Sequence, residues 1–481
     1  MRLALLFVSF PLGLSVLSVP AAAQSPAPSA NELAAIASVE RAAPDLIALS
    51  DRIWEHAEVA FREDRSAAAL ADHAEAQGFS VRRGVAEIPT AFVAEYGAGP
   101  PVIGILGEFD ALPGLSQKAT PEKDPIVPEG PGHGCGHNLF GVASLGAAVA
   151  VKELIEAGEL EGTVRFYGAP AEEKFFGKLW MIRAGLFDDV DVMVDWHPGD
   201  ETEAAVQSSL ALVDFIVEFR GQTAHASSDP WNARSASDAL ELYTTGINYY
   251  REHVKPTVRI HYHIQDAGKV VNVVPDYARI WVRVRDTRRE GMHLVWERVK
   301  EMAGGAAIMA DVTHEISLVS GVHEILVNRT AGARLQENLE HLGVIEYTEE
   351  EQAFARSIQE ATGKEPTGIA WELEPLKETE EHPGGGSTDA GDVSFVAPMV
   401  RLRVAIAPED TPWHSWAVVA YSGMSIGHRG LLYAAKALAM TMVDLFEDAE
   451  LREAVAAEHR ERLGDYEYEP MIPPGPPPLG H

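Results

Sequence analysis

The sequence predicts an α/β protein, a mainly parallel sheet with flanking helices, interrupted by a smaller α+β module. Two textures along the chain carry this reading. Short, wholly apolar runs such as VIGILG (102–107) alternate with helix-length segments, as strands buried on both faces do in a parallel sheet. From about residue 211 the runs ALVDFIVEFRG, VRIHYHIQD and ARIWVRVRD instead alternate apolar and polar residues, the pattern of half-buried antiparallel strands.

At the N-terminus, MRLALLFVSFPLGLSVLSVPAAAQ joins Arg2, an apolar run from Leu3 to about Leu17, and Ala21-Ala22-Ala23 before Gln24. This predicts a signal peptide over 1–23 and a periplasmic or secreted protein. A buried N-terminal helix is the alternative, which Pro11 and Pro20 disfavour. No later stretch holds the roughly 18 consecutive apolar residues of a membrane span. Helical periodicity runs from about Asn31, with a break expected near Pro44, and resumes in DRSAAALADHAEAQG, closed by Gly78. VIGILG is the first buried strand. LFGVASLGAAVAVKELIEAG follows as an apolar helix with Asn138 as its expected N-cap. TVRFYGAP (163–170) and DVMVDWHP (191–198) are two further strands. The inserted module spans 212–322, with helices over 234–251 and about 289–303. Segments 31–211 and 323–462 then form one discontinuous domain. The tail, 467–481, is Pro-rich and expected to be extended or disordered.

Of the 481 residues, 46% are hydrophobic, enough for a large core. The formal charge of −33 excludes a nucleic-acid binder, which needs clustered Lys and Arg against phosphate. One cysteine stands in the whole chain, inside GHGCGHN (132–138). Exported proteins that use cysteine structurally pair it. Cys135 is therefore a bland buried side chain, a nucleophile or a metal ligand.

Four segments carry donors that packing does not require. Cys135 and His137 stand two residues apart in a glycine-rich loop, so both can face one centre. Glu172 and Glu173 follow a strand in GAPAEEK; neighbouring side chains diverge, so one can bind a metal while the other acts as a base. His197 ends the strand in DWHP, and His414 lies between tryptophans in TPWHSW. Thiolate, imidazole and carboxylate together suit Zn²⁺ or another borderline divalent ion.

With these motifs the chain resembles the M20 metallopeptidase/amidohydrolase family, and within it the aminobenzoyl-glutamate hydrolase B-type amidohydrolases. The matching stretches are ILGEFDALPGL (105–115), GHGCGHN, GAPAEEK, GQTAHASSDPWNARSASDA (221–239), VVNVVPD (270–276), GSTDAGDVSFVAP (386–398) and WHSW…SIGHRGLLYAA. The resemblance implies metal-dependent hydrolysis of an amide in an N-acyl amino acid, an aminobenzoyl-glutamate-like compound or a dipeptide. It also implies two divalent ions, Zn or Mn, held by Cys135, His137, Glu173, His197 and His414, with Glu172 as general base. Where many members carry a metal-binding HxD, this chain has Glu108-Phe109-Asp110; Cys135 then takes the missing histidine's role, and Asp110 keeps the place of the supporting acid. The inserted module resembles the family's lid, or dimerisation, domain. This implies a homodimer, or assembly with a homologous second subunit. His225 would reach the partner's active site to polarise the scissile carbonyl. Asn272 and Arg234 would grip a substrate carboxylate, and Ser387 and Thr388 would line the pocket. Asp389 and Asp392 either join that lining or cap the backbone. Two rival functions stand beside hydrolysis by a metal centre: a cysteine-nucleophile hydrolase using Cys135 with His133 or His137, and a metal- or solute-binding protein without catalysis.

Overall fold

A computed structural model of the chain describes residues 27–380 and 385–480; the segment read as a signal peptide lies outside them. The strands are β1 (Ser80–Arg83), β2 (Phe92–Gly97), β3 (Val102–Gly107), β4 (Thr163–Gly168), β5 (Val192–Gly199), β6 (Glu203–Ala204), β7 (Ala211–Arg220), β8 (Arg259–Asp266), β9 (Tyr277–Asp286), β10 (Thr313–Val322) and β11 (Met399–Ala405). Seven of them form one sheet in the order β1-β2-β4-β3-β5-β11-β6. Its centre, β4-β3-β5-β11, is parallel, and antiparallel ladders attach β2 to β4, β1 to β2 and β6 to β11. The central strands are almost wholly buried, which is why they read as continuous apolar runs.

Helices Ala30–His56, His137–Ala157 and Ser425–Glu447 pack together beside this sheet. The middle one is long and apolar enough to cross a membrane by length and composition, but 89% of its most apolar window is buried in the protein, as a core helix is. It approaches the sheet closely because Gly141 has no side chain: a Cβ there would lie 2.7 Å from the carbonyl oxygen of Glu108. That contact sets the GHGCGHN loop against the end of β3. Two helical expectations need correction. The first helix does not break at Pro44. A mid-helix proline costs roughly 3 kcal/mol. Burying Val39, Leu46, Leu49 and Ile53 returns about 1.5–3 kcal/mol each. Nor does Asn138 cap its helix, whose N-cap is Gly136; the Asn138 amide instead donates to Ser50 Oγ and to the Ser422 carbonyl, tying its helix to Ala30–His56 and to the short helix Trp416–Ser422.

The second sheet, β10-β7-β9-β8, is antiparallel throughout. Helices Ala236–Tyr250 and Arg289–Ala310 pack against it around a core of their own. Along β9 the period of two divides labour: Ile280, Val282 and Val284 enter that core, while Arg283 and Arg285 point the other way, into a cleft between the two sheets. The C-terminal tail has no helix or strand, yet it is docked. Gly321 donates its N–H to Met471 O (2.7 Å), Arg183 donates to Gly475 O (2.7 Å), Tyr468 donates its hydroxyl to Asp392 (2.9 Å), and Pro477 is buried. These residues find partners on both modules, which holds the Pro-rich tail against the fold without helix or strand.

Candidate active site

Open α/β sheets place their sites beyond the carboxyl ends of parallel strands. Here Glu108 and Asp110 follow β3, Glu172 and Glu173 follow β4, His197 lies near the end of β5, and His414 lies in the segment after β11. Cys135 and His137 come to the same place at the start of helix His137–Ala157.

His137 is fully buried and hydrogen-bonded at one ring nitrogen. Its Nδ1 lies 2.9 Å from Asp110 Oδ1, and its Nε2 lies 3.2 Å from Glu108 Oε2. Asp110 also accepts the N–H of Glu173 at 2.9 Å, so one carboxylate orients two of the segments. The sulfur of Cys135 is 3.4 Å from His197 Nε2, and His197 Nδ1 lies 2.6 Å from the Pro198 carbonyl oxygen. His414 Nε2 lies 3.4 Å from Glu173 Oε2. The donor atoms of Cys135, His137 and His197 lie within 4.8 Å of one another, as do those of Cys135, Glu173 and His414, and those of Glu108, His137 and Glu172.

Electrostatics follow from this crowding. Burial, then the charges of Glu108 and Glu173, holds the Glu172 carboxyl well above the usual range. Burial pushes Glu173 up to about 7. Burial, then the Glu173 charge, drives the Cys135 thiol upward. Burial, then His137, keeps His197 neutral well below the ordinary histidine value. Backbone strain gathers at the same spot. Ala171, Phe175, Phe176 and His414 all have left-handed φ, between 55° and 78°, which side chains other than glycine rarely adopt.

The centre opens into a cleft of about 520 Å³ lined by Cys135, Glu172, Glu173, His197 and His414, with Phe176, Leu212 and Trp413 as apolar wall. Ser387 and Thr388 line it too, as do Arg283, Arg285, Arg401 and Arg403. Three of these arginines are engaged: Arg283 by Asp214 (2.6 Å), Arg401 by Asp195 (2.6 Å) and Arg403 by Glu203 (3.6 Å). Among the described residues Arg285 makes no ion pair; it reaches Ser387 Oγ at 3.4 Å, and its buried Nε has no partner.

A match to the peptidase family M20/M25/M40 covers residues 104–313. Over 452 residues the chain is 38% identical to the B-type component of the p-aminobenzoyl-glutamate hydrolase of Escherichia coli K12, an alignment covering 88% of this chain and 94% of the relative. The chain belongs to the M20 peptidase family. This M20 hydrolase is also 29% identical over 438 residues to a mouse Xaa-Arg dipeptidase, covering 88% of this chain and 91% of that one. In fold it is similar to an aminohydrolase from methicillin-resistant Staphylococcus aureus (TM-score 0.65, 19% identity, 86% of this chain and 100% of that one). A dinuclear metal-binding M20 peptidase from Bacillus subtilis also matches (TM-score 0.58, 20% identity, 85% and 99%).

A metal fits the M20 site on two grounds. The donors are sulfur, nitrogen and oxygen in the mixture that borderline divalent ions take. The buried His137 Nε2, Glu108 Oε2 and Glu173 Oε1 also lack hydrogen-bond partners among the described residues, which is costly unless a cation meets them. The other candidates lie elsewhere. His225 and Asn272 are exposed on the inserted module, on facing segments joined by the Ala226 N–H to Asn272 O bond (3.0 Å). Arg234, also exposed, is paired with Asp311. None of the three reaches the cleft within one chain. His133 is buried, bonded to the Ile53 carbonyl (3.0 Å) and absent from the cleft lining. Sequence reasoning passes over Arg283 and Arg285; the one available signal is a pair of arginines at period two on the polar face of ARIWVRVRD.

Proposed function

We propose that this chain hydrolyses the amide bond of an N-acyl amino acid, an aminobenzoyl-glutamate-like compound or a dipeptide, using two divalent ions. One observation carries the reading: two donor triads, Cys135/His137/His197 and Cys135/Glu173/His414, share a sulfur, while Glu172, outside both, gathers only with Glu108 and His137 in a third group. Two adjoining ion sites with a further buried carboxylate beside them suit metal-assisted hydrolysis and exceed what storage of a metal needs. When bound, Zn²⁺ or Mn²⁺ supplies an acidified water and polarises the amide carbonyl. Glu172 takes the proton from the attacking water and returns it to the leaving nitrogen. Asp110 fixes the His137 ring at Nδ1, so that Nε2 would be the atom offered to an ion. Arg285 receives the substrate carboxylate with its planar fork, assisted by Ser387 and Thr388. Arg234 is engaged by Asp311 within its own chain, so the carboxylate grip passes to Arg285.

His225 and Asn272 act in the partner's site of a homodimer joined through the inserted module, where His225 steadies the oxyanion. Exposure of both residues and the free edge of β8 support this arrangement. A homologous second subunit would meet the same surface. The apolar N-terminal segment 1–23 supports a location in the periplasm or outside the cell. The cysteine-nucleophile alternative is weaker because burial and Glu173 hold the thiol protonated without a cation.

The test is a hydrolysis screen of N-acyl amino acids, p-aminobenzoyl-glutamate and dipeptides on protein reconstituted with Zn²⁺ or Mn²⁺, scored by released amine. Turnover abolished by a chelator and restored by metal supports the reading. Turnover that survives chelation and dies on thiol alkylation overturns it in favour of the nucleophile. Tight metal uptake with no cleavage favours a binding protein.

A further inference from the structure

Lys178 is the most deeply buried cation near the cleft, with 0% exposure, and it does not line the cleft. Its ammonium lies 2.6 Å from Glu108 Oε1 and 2.6 Å from Asp389 Oδ1, and its own N–H donates to Asp389 Oδ2 at 2.9 Å. Gly177 makes the approach feasible: a Cβ there would lie 2.1 Å from the Pro170 carbonyl oxygen, in the loop that carries Glu172 and Glu173. The two carboxylates lead in different directions. Glu108 turns its other oxygen to His137 Nε2 at 3.2 Å. Asp389 directly follows Ser387 and Thr388, and Arg285 reaches Ser387.

An apolar side chain of the same length would fill this space, and a single cation facing two buried acids is costly to desolvate. We propose that Lys178 is a positioning residue that couples the metal cradle to the substrate loop. Through Glu108 it sets the ring of His137, and through Asp389 it sets Ser387 and Thr388 against Arg285. Neither group it holds needs to touch substrate. This rests on the function proposed above, so the test does not depend on turnover.

Three single variants and one combination separate the arms. Zinc retention is read as the chelator concentration that removes half the metal, and ligand affinity by calorimetry with N-acetylglutamate. Glu108→Gln lowers zinc retention about tenfold, on the scale of losing a supporting group to a ligand, and leaves N-acetylglutamate affinity unchanged. Asp389→Asn weakens N-acetylglutamate about tenfold and leaves zinc retention unchanged. Lys178→Met does both. Because Lys178→Met leaves two buried acids unpaired and so risks misfolding, the combination Lys178→Met/Glu108→Gln removes the cation together with one of its acids at similar volume. It is expected to fold and to weaken N-acetylglutamate about tenfold, which Glu108→Gln alone does not. If Lys178→Met folds with wild-type zinc retention, or the combination folds with wild-type N-acetylglutamate affinity, Lys178 is structural only and the proposal is overturned. Failure of the wild type to cleave any amide would instead sink the proposed function and leave this comparison standing.

Discussion

Glu172 and Glu173 are neighbours in sequence to which the proposed mechanism gives opposite tasks, and they lie between Ala171 and Phe175, whose backbones are left-handed. Replacing the base is therefore separable from emptying the site. Glu172→Gln is expected to keep both metal ions, counted by elemental analysis, and to lose about two to four orders of magnitude in kcat. Near-normal turnover would transfer the base to another group. Arg285 supports a different prediction. Arg285→Ala is expected to raise KM for N-acyl amino acids by about 10–100-fold, the scale of a charged hydrogen bond, and to leave metal content alone. Substrates with the carboxylate blocked as a methyl ester should lose the distinction between wild type and variant. Equal losses on ester and acid would remove the carboxylate from this residue. The donors around Cys135 are legible in the sequence because glycine-rich turns and strand ends advertise themselves locally. Lys178 and Arg285 are not. Lys178 in FFGKLWM reads as an ordinary cation opening a helix, and its burial between two acids arises only from segments 70 and 211 residues away.

Among the elements, β3, β4 and β5 can be read because both faces are buried, so apolar residues dominate each run and only isolated polar ones such as Arg165 and Asp195 interrupt it. β1, β2, β6, β10 and β11 escape such a reading. β6 has only two residues, β1 is a largely exposed edge, and β11 mixes apolar residues with Arg401 and Arg403, which turn into the cleft. Helix Ser425–Glu447 carries a testable charge. Asp444 is buried beside Asn338, and burial raises its carboxyl to about 7. A carboxyl raised in the fold binds its proton more tightly there than in the unfolded chain. Its contribution is therefore complete below the ordinary value of 3.8 and is lost as pH rises towards about 7. Asp444→Asn should flatten the fall in Tm between pH 5 and pH 8, measured calorimetrically in metal-saturated protein. A fall as steep as the wild type's would show that Asp444 does not govern it.

On the scale of the whole molecule, the division into two sheets is visible in the change of period near residue 211, although the docking of the tail is not. The placement of His225 outside its own cleft makes a mixing experiment decisive. Homodimers of His225→Ala and Glu172→Gln are each expected to be nearly inactive. In a mixed dimer, one cleft has its own Glu172 and receives His225 from the Gln variant. Co-refolding the two should therefore restore about a quarter of wild-type activity for random pairing. No recovery, with mixed dimers shown to form, would place His225 outside catalysis. The order of strands in the larger sheet has a further consequence for synthesis. β11 lies between β5 and β6, whose residues end near position 204, so a growing chain emerges with a slot in its main sheet. The sheet of the module 211–322 is built from neighbouring residues and can pair early. The ribosome must translate some two hundred codons beyond β6 before the slot is filled. Until then the edge of β5 that β11 will cover stays unpaired, and the nascent enzyme depends on whatever shields exposed strand edges in the cell.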